Sequence, residues 1–247
     1  MKYYALYYKE ESKEGDPSVY VEEDYDFDAD DSISELSNYQ TRRIPFKPNL
    51  SFCLLPKGKV TDLIEVSTIG CSNLLVNDRL LSILKEYNIF RYDIFPATLR
   101  AKDKIIPYHM LHFYDFFTLM SDEYDWVDFK KTIFFAEKTS YPLSLIGVKG
   151  KGVLGEFQVN SWKEYFAMRE KREDGNTHTD KIIFPKDKLY ITKKEILELD
   201  LFPMEFGNHK ELHDMWISPR LAKRLKDEKI SGVTIEPLPF EMELVGS

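Results

Sequence analysis

Apolar positions along this chain switch between two periods, and the switches mark its elements. Leu74, Leu75 and Val76 form a short apolar run, and Asn77 then supplies a side chain suited to capping a helix. Leu80, Ile83, Leu84 and Tyr87 follow at i, i+3, i+4 and i+7, which predicts one buried stripe on a helix of about three turns. Arg79, Ser82, Lys85 and Glu86 fall on the wet face. After Asn88 the period shortens: Tyr92, Ile94 and Pro96 alternate with Asp93 and Phe95, as in a strand. The pattern returns near the C-terminus. Ser218 followed by Pro219 predicts a cap and a first-turn proline, Gly232 is expected to end that helix, and Val233 and Ile235 alternate with Thr234 and Glu236. Arg224 and Glu228 stand where the first stripe has Ile83 and Tyr87, so the second helix is expected to be the less buried.

The two stretches, Val76 to Pro96 and Ile217 to Pro237, align without a gap at a constant offset of 141 residues. Arg79/Arg220, Leu80/Leu221, Leu84/Leu225, Lys85/Lys226, Ile89/Ile230, Ile94/Ile235 and Pro96/Pro237 are identical. This predicts an α+β protein of two related lobes from an internal duplication, each a helix packed on a mainly antiparallel sheet. The expected division is 1–49 for N-terminal strands and an acidic loop, 50–122 for a first lobe and 123–247 for a second.

Elsewhere, the tyrosine-rich start through Tyr8 and the run Ser18 to Val21 read as strands, and Pro45 and Pro48 mark a linker. Thr98 to Arg100 and Ile105 to Tyr114 flank a turn at Ala101 to Lys104, a hairpin pattern. Asp125 to Asp128 and Thr132 to Phe135 read as strands around a break at Lys130-Lys131. Ser161 with Glu164 predicts a capping box opening a helix, with Trp162, Tyr165, Phe166 and Arg169 along one side. Glu173 to Asp180 reads as a solvated loop, and Ile182 to Phe184, Leu189 to Ile191 and Leu201 to Met204 as strands.

Charge changes this picture. The net charge of −8 is concentrated in residues 1–35, where three lysines face twelve carboxylates. The rest of the chain is nearly balanced and offers no basic face for phosphates, so nucleic acid is not an expected partner. No apolar run approaches the roughly 20 residues that span a bilayer, and the start lacks the apolar core of a signal peptide. The sequence therefore reads as cytoplasmic, with no membrane partner. Cys53 and Cys71 are too few for a disulfide framework and read as buried thiols.

Candidate chemistry is sparse. The run Glu22, Glu23, Asp24, Tyr25, Asp26, Phe27, Asp28, Ala29, Asp30, Asp31 has the alternating carboxylates of a calcium loop. It has alanine where the sharp turn needs glycine, and no helix leads into it. It reads instead as a solvated loop or as a docking face, in which carboxylates interleaved with Tyr25 and Phe27 meet a basic protein. Glu22, Glu23, Asp24, Tyr25, Asp26, Phe27, Asp28, Asp30 and Asp31 are its candidate partner-binding residues. His209 and His213 are spaced i, i+4 but sit in a loop context. His109 and His112 read as ordinary strand histidines. Gly147 to Gly155 lacks the glycine-lysine-serine order of a phosphate loop and reads as a hairpin loop. The residues point to no catalytic group, metal ligand or cofactor site.

Several of these stretches are similar to one family. They include Ile217-Ser218-Pro219-Arg220-Leu221 through Gly232 and Pro237, and Leu75 to Leu80 with Tyr92 to Ala97. The hairpin ending Leu111-His112-Phe113, Trp126 to Phe129 with Phe134, and Asp200-Leu201-Phe202 belong to the same pattern. Together they resemble a bacterial immunity protein family of polymorphic toxin systems, the eleventh numbered immunity family, formerly a domain of unknown function. The resemblance spans residues 50–240 and does not include the acidic run. It implies a non-catalytic protein that binds and neutralises a cognate toxin. The alternative is an enzyme or small-ligand-binding protein with a pocket between the two lobes.

Overall fold

The computed structural model describes residues 1–8, 19–22, 25–39, 42–55, 58–64, 66, 73–114, 126–139, 151–165, 181–204 and 214–246. Its architecture is α+β, mostly sheet with few helices. One sheet has six strands in the order β2 (Val19–Val21), β3 (Ser51–Leu54), β6 (Tyr92–Ala101), β7 (Lys104–Phe113), β5 (Asn73–Val76), β4 (Leu63–Ile64). A second has four, in the order β12 (Leu201–Met204), β13 (Asp214–Ile217), β1 (Tyr4–Tyr8), β14 (Val233–Pro237). β10 (Lys181–Pro185), β8 (Phe134–Thr139) and β9 (Lys151–Phe157) form a third, and β11 (Lys188–Ile191) pairs with β15 (Glu241–Leu244). Among the described residues the strand ladders are antiparallel apart from β3 with β6 and β11 with β15. Among the described residues the helices are α1 (Asp78–Leu84), α2 (Lys194–Leu197) and α3 (Pro219–Asp227), with further helical residues at 162–165 and a 3-10 helix at Ile33–Tyr39. No helix of the described residues is long and apolar enough to cross a membrane.

Both sequence-related stretches fold as strand, helix, strand, in the same register. In each, the two strands flank a third that runs antiparallel to both. β7 lies between β5 and β6, with Val76 and Pro96 both opposite His109. β1 lies between β13 and β14, with Ile217 and Pro237 both opposite Tyr4. Outside these, Leu63 sits opposite Val76 and Leu201 opposite Ile217. The middle strands reach their places differently. β7 follows β6 through the expected hairpin, whose turn holds Lys102 at φ 57°. β1 comes from the other end of the chain. Residues 1–49 are consequently shared out, β1 to the four-stranded sheet and β2 to the edge of the six-stranded one.

The repeated proline has a reason in this topology. Thr98 N–H points away from β7 and donates to Leu50 O at 2.8 Å, so the nitrogen of Pro96, two residues earlier, points the same way. Leu238 N–H points inward to Tyr3 O at 3.0 Å, so the nitrogen of Pro237 points outward. Each proline lies where no strand of the ladder pairs on its outer side and no donor is needed.

Three apolar clusters hold the layers. Leu80, Ile83 and Leu84 of α1, Leu221 and Leu225 of α3, Leu74 and Leu111 of one sheet and Leu6 and Met215 of the other share a single cluster. The opposite face of the six-stranded sheet packs Phe52, Leu99, Tyr108 and Met110 against Ile33, Leu36 and Ile44. The opposite face of the four-stranded sheet places Tyr3, Phe202 and Trp216 in an aromatic cluster with Trp126, Phe134, Tyr165 and Phe240. As expected, α1 buries four of its seven residues and α3 three of nine.

Local expectations fare unevenly. Asn77 and Ser218 cap as expected, accepting from Leu80 N (3.0 Å) and Leu221 N (3.2 Å). α1 is shorter than its stripe implied, because Glu86 N and Tyr87 N bond back only three residues, to Ile83 O and Leu84 O, and close it off. Gly232 does not end α3. Lys229 supplies the left-handed residue (φ 52°), with Lys229 N bonded to Lys226 O and Ile230 N to Leu225 O. Gly232 (φ 77°) is required elsewhere, since a Cβ there would stand 2.0 Å from Leu63 O. Val127 makes only a single bridge, to Ile191, and the following strand begins at Phe134 rather than Thr132. At Ser161 half the capping box forms: Glu164 N donates to Ser161 Oγ at 3.2 Å, while the Glu164 carboxylate reaches back to Asn160 N at 2.7 Å. Gly152 and Gly155 are not in a loop but in β9, opposite Lys138 and Ala136 beside a register shift. Cys53 is half-buried on β3 rather than fully buried. Cys71, Phe166, Arg169, Gly147, Gly150 and the 173–180 loop lie outside the described residues.

Two aspartates join the repeated units crosswise. Asp62 and Asp200 each precede the first residue of the outer strand, β4 or β12. Asp62 O accepts from Asn77 N (3.0 Å), and its carboxylate accepts from Asn77 Nδ2 (2.9 Å) and Arg79 (3.4 Å). Asp200 does the same for the other unit, with Ser218 N at 2.9 Å, Ser218 Oγ at 2.5 Å and Arg220 Nε at 2.5 Å. The remaining capacity of each carboxylate goes to the opposite unit. Asp62 takes Ser231 N and Oγ, both at 2.7 Å, and Asp200 takes Asn88 N at 2.9 Å. The arginines cross as well: Arg79 bonds Glu228 O, and Arg220 lies over the Tyr87 ring at 5.6 Å. Residues 87 and 228 are themselves 141 apart.

Burial alone would raise both carboxyls, but the bonds from Ser231, Asn77 and Arg79 to Asp62, and from Arg220, Ser218 and Asn88 to Asp200, hold them below the ordinary range. A depressed folded value means that the stability they add is complete above the unfolded value near 4 and is lost as pH falls through the folded one. Asp62→Asn and Asp200→Asn are each expected to cost about 2 kcal/mol at pH 7. Each should also flatten the acid limb, read by urea unfolding at neutral pH and at about pH 3. Faster amide exchange at Ser231 in D62N and at Asn88 in D200N would show the crossing. Gly232→Ala should cost more than about 1 kcal/mol, checked by the same unfolding midpoint.

Candidate functional site

The described part of the acidic run, Glu22 and Tyr25 to Asp31, is a hydrogen-bonded turn standing on the six-stranded sheet. Val19 and Val21 of β2 enter the cluster below it, and Ile33 and Leu36 of the 3-10 helix leave into the same cluster. Between them Tyr25 acts as a post: its hydroxyl donates to Asn49 O at 2.7 Å and accepts from Ile33 N at 2.5 Å. Burial, followed by the charges of Asp31 and Asp26, raises its pKa against the opposing pull of Ile33 N–H. Asn49 N donates to Asp31 O at 2.8 Å, and Ser32 and Ser34 hydroxyls both donate to Phe27 O, at 2.9 and 2.8 Å. Asp26 Oδ1 accepts from Asp28 N at 3.0 Å, fixing the tip.

The nine candidate residues therefore divide. Tyr25 is an internal anchor that meets Phe27 edge-on at 5.0 Å between ring centroids. Glu22 is engaged with Arg100 through two bonds of 3.1 Å. Asp26, Phe27, Asp28, Asp30 and Asp31 stand exposed. Phe27 is 52 % exposed, a large apolar ring held in solvent among four carboxylates. Glu23 and Asp24 lie outside the described residues. Among the described residues no three His, Cys, Asp or Glu side chains gather in a way that could hold a metal.

One shallow cleft adjoins the turn, and a second lies further along β6. The first, of about 360 Å³, is lined by Asp31, Lys47, Pro48, Leu50, Pro96 and Thr98, among others. The next, of about 480 Å³, is lined by Arg43, Ile44, Pro45, Asp93, Ile94 and Phe95. Arg43 closes the far end through bonds to Asp93 of 2.8 and 3.0 Å, with its guanidinium 5.8 Å from the Tyr114 ring centroid.

The histidines on β7 have structural partners. His109 Nε2 lies 2.6 Å from Asp78 Oδ1 at the start of α1. His112 is 1 % exposed and sits between Asn73 Oδ1 (2.8 Å) and Arg42 O (2.7 Å), tying the 42–50 segment to the sheet. Burial lowers its pKa, against the raising effects of Arg42 O, Asp93 and the Tyr39 carbonyl. His178, His209 and His213 lie outside the described residues. The cluster of Ser218, Asp200 and Arg220 contains groups that serve nucleophilic and acid–base chemistry elsewhere. Here the Asp200 side chain is 1 % exposed and its oxygens are occupied by the cap, the arginine and Asn88. Periodicity could not single out Asp62 and Asp200; the available signal was an aspartate directly before an apolar pair, Leu63-Ile64 and Leu201-Phe202.

Comparison with known proteins gives no match to a family model, a curated protein or a solved structure.

Tyr25→Phe removes the bridge between Asn49 and Ile33. It is expected to cost about 1–2 kcal/mol and to speed hydrogen exchange at the Ile33 amide, with the exposed carboxylates unchanged.

Proposed function

We propose that this chain is a non-catalytic immunity-type protein that binds and neutralises a cognate bacterial toxin, meeting it through the acidic turn. The observation that carries the reading is the turn itself: Phe27 and four exposed carboxylates on a loop whose backbone is fixed from beneath by Tyr25, Ser32, Ser34 and Asn49. Holding the loop in one shape lowers the ordering cost of association, an exposed aromatic supplies an anchor, and the carboxylates accelerate encounter with a basic partner. The sequence resemblance to immunity proteins and the nearly balanced charge outside residues 1–35 support the same class, working in the cytoplasm on a protein rather than on nucleic acid or membrane.

The architecture is read here as two lobes descended from an internal duplication. The shared register about His109 and Tyr4 and the crossed Asp62 and Asp200 contacts support that history. The described contact between the units is filled by Leu80, Ile83, Leu84, Leu221 and Leu225, which favours a binding scaffold over a ligand pocket between lobes.

The test is co-expression with toxin domains from polymorphic toxins, comparing the unaltered chain with D26N/D28N/D30N/D31N and with Phe27→Ala. Survival is expected to fall in both variants while their melting temperatures stay within a few degrees. Undiminished protection by both variants would exclude this face.

A further inference from the structure

Resting on the toxin reading, we infer that the partner seats an extended stretch bearing arginine or lysine along the outer edge of β6, in the two clefts there, the first of which adjoins the acidic turn. The ladder between β3 and β6 begins only at Thr98, opposite Ser51. From Arg43 to Asn49 the chain runs alongside the first half of β6. There its described bonds to β6 are those of Arg43 to the Asp93 carboxylate.

The strand geometry fixes what this edge offers. Thr98 N–H points outward, so the backbone groups of Ile94 and Pro96 point outward too. Pro96 has no N–H. Along the stretch that lines the clefts, the edge therefore presents the carbonyls of Ile94 and Pro96 against one donor, Ile94 N–H. An edge with more acceptors than donors suits a group with many donors, and the guanidinium or ammonium head is such a group. Asp31 lines the cleft at the Pro96 end and joins it to the acidic turn. Pro45 and Ile94, both exposed, supply apolar surface on which the stem of a long cationic side chain can lie.

The chain already carries out this chemistry once. Arg43, from the same segment, places its guanidinium on Asp93 and near the Tyr114 ring. Lys47 lines the other cleft, is exposed, and sets the level of its charge.

The probe is a tetra-arginine peptide, with tetra-glutamate as control, titrated into the full chain while backbone amide resonances are followed. Saturable shifts at Ile94, Thr98 and Asn49 are expected for the arginine peptide alone. Asp31→Lys should weaken binding about tenfold and Lys47→Glu should tighten it several-fold. Shifts confined to residues 26–30, indifference to both substitutions, or no saturable binding would each overturn the groove. Those results leave the toxin reading standing, because it is judged separately by survival with the neutralised turn. Loss of toxin protection in D26N/D28N/D30N/D31N together with an unshifted Ile94 amide would separate the two.

Discussion

Two buried carboxylates, Asp62 and Asp200, hold the two strand–helix–strand units about α1 and α3 in register. Each does two tasks at once: it completes the N-terminal cap of its own helix and accepts the backbone N–H of the loop that leaves the other helix. Neither helix is long enough to be stable alone, and each draws its order from packing and capping. Because every cap is also a cross-link, ordering one helix favours the other, and both contribute leucines to the apolar cluster between the sheets. The polar bonds specify the arrangement, and the leucines of α1 and α3 supply the burial.

That arrangement fixes the platform for the acidic turn. The six-stranded sheet carries the helix cluster on one face and Ile33, Leu36 and Ile44 on the other. The turn is the visible end of that second layer, and its polar bonds run inward to Asn49, Ile33 and Phe27 rather than between its carboxylates. Electrostatic repulsion among Asp26, Asp28, Asp30 and Asp31 is therefore tolerated because the backbone beneath is pinned.

Much of the fold was legible because it follows local rules. The helix caps at Asn77 and Ser218, the hairpin about Lys102 and the strands at 181–191 and 201–204 were all written in residues a few places apart. What was not legible was long-range. Nothing local says that β1 pairs with β13 and β14, or that the helix stripe ending at Tyr87 breaks off at Leu84 because the chain must turn toward Asp200. Gly232 looked like a helix stop, and its actual constraint comes from Leu63 O, a contact across the whole chain. For the acidic turn, the sequence supplied the charge and the aromatics. Only geometry separated Tyr25 and Glu22, which are built into the fold, from Phe27 and the aspartates, which face water.

The middle position of β1 has a consequence for how the molecule comes into being. This strand is made before every other described strand, yet its neighbours Ile217 and Pro237 lie more than 200 residues further along the chain. The six-stranded sheet draws its described strands from residues 19–113 and can assemble while synthesis continues. The four-stranded sheet must wait, with a tyrosine-rich strand unpaired on both sides until the residues of β13 and β14 are made. Such distant pairing is slow and leaves a sticky edge in the open. The lysines and carboxylates that crowd Lys9 to Asp16 directly behind that strand would then keep it soluble during the wait.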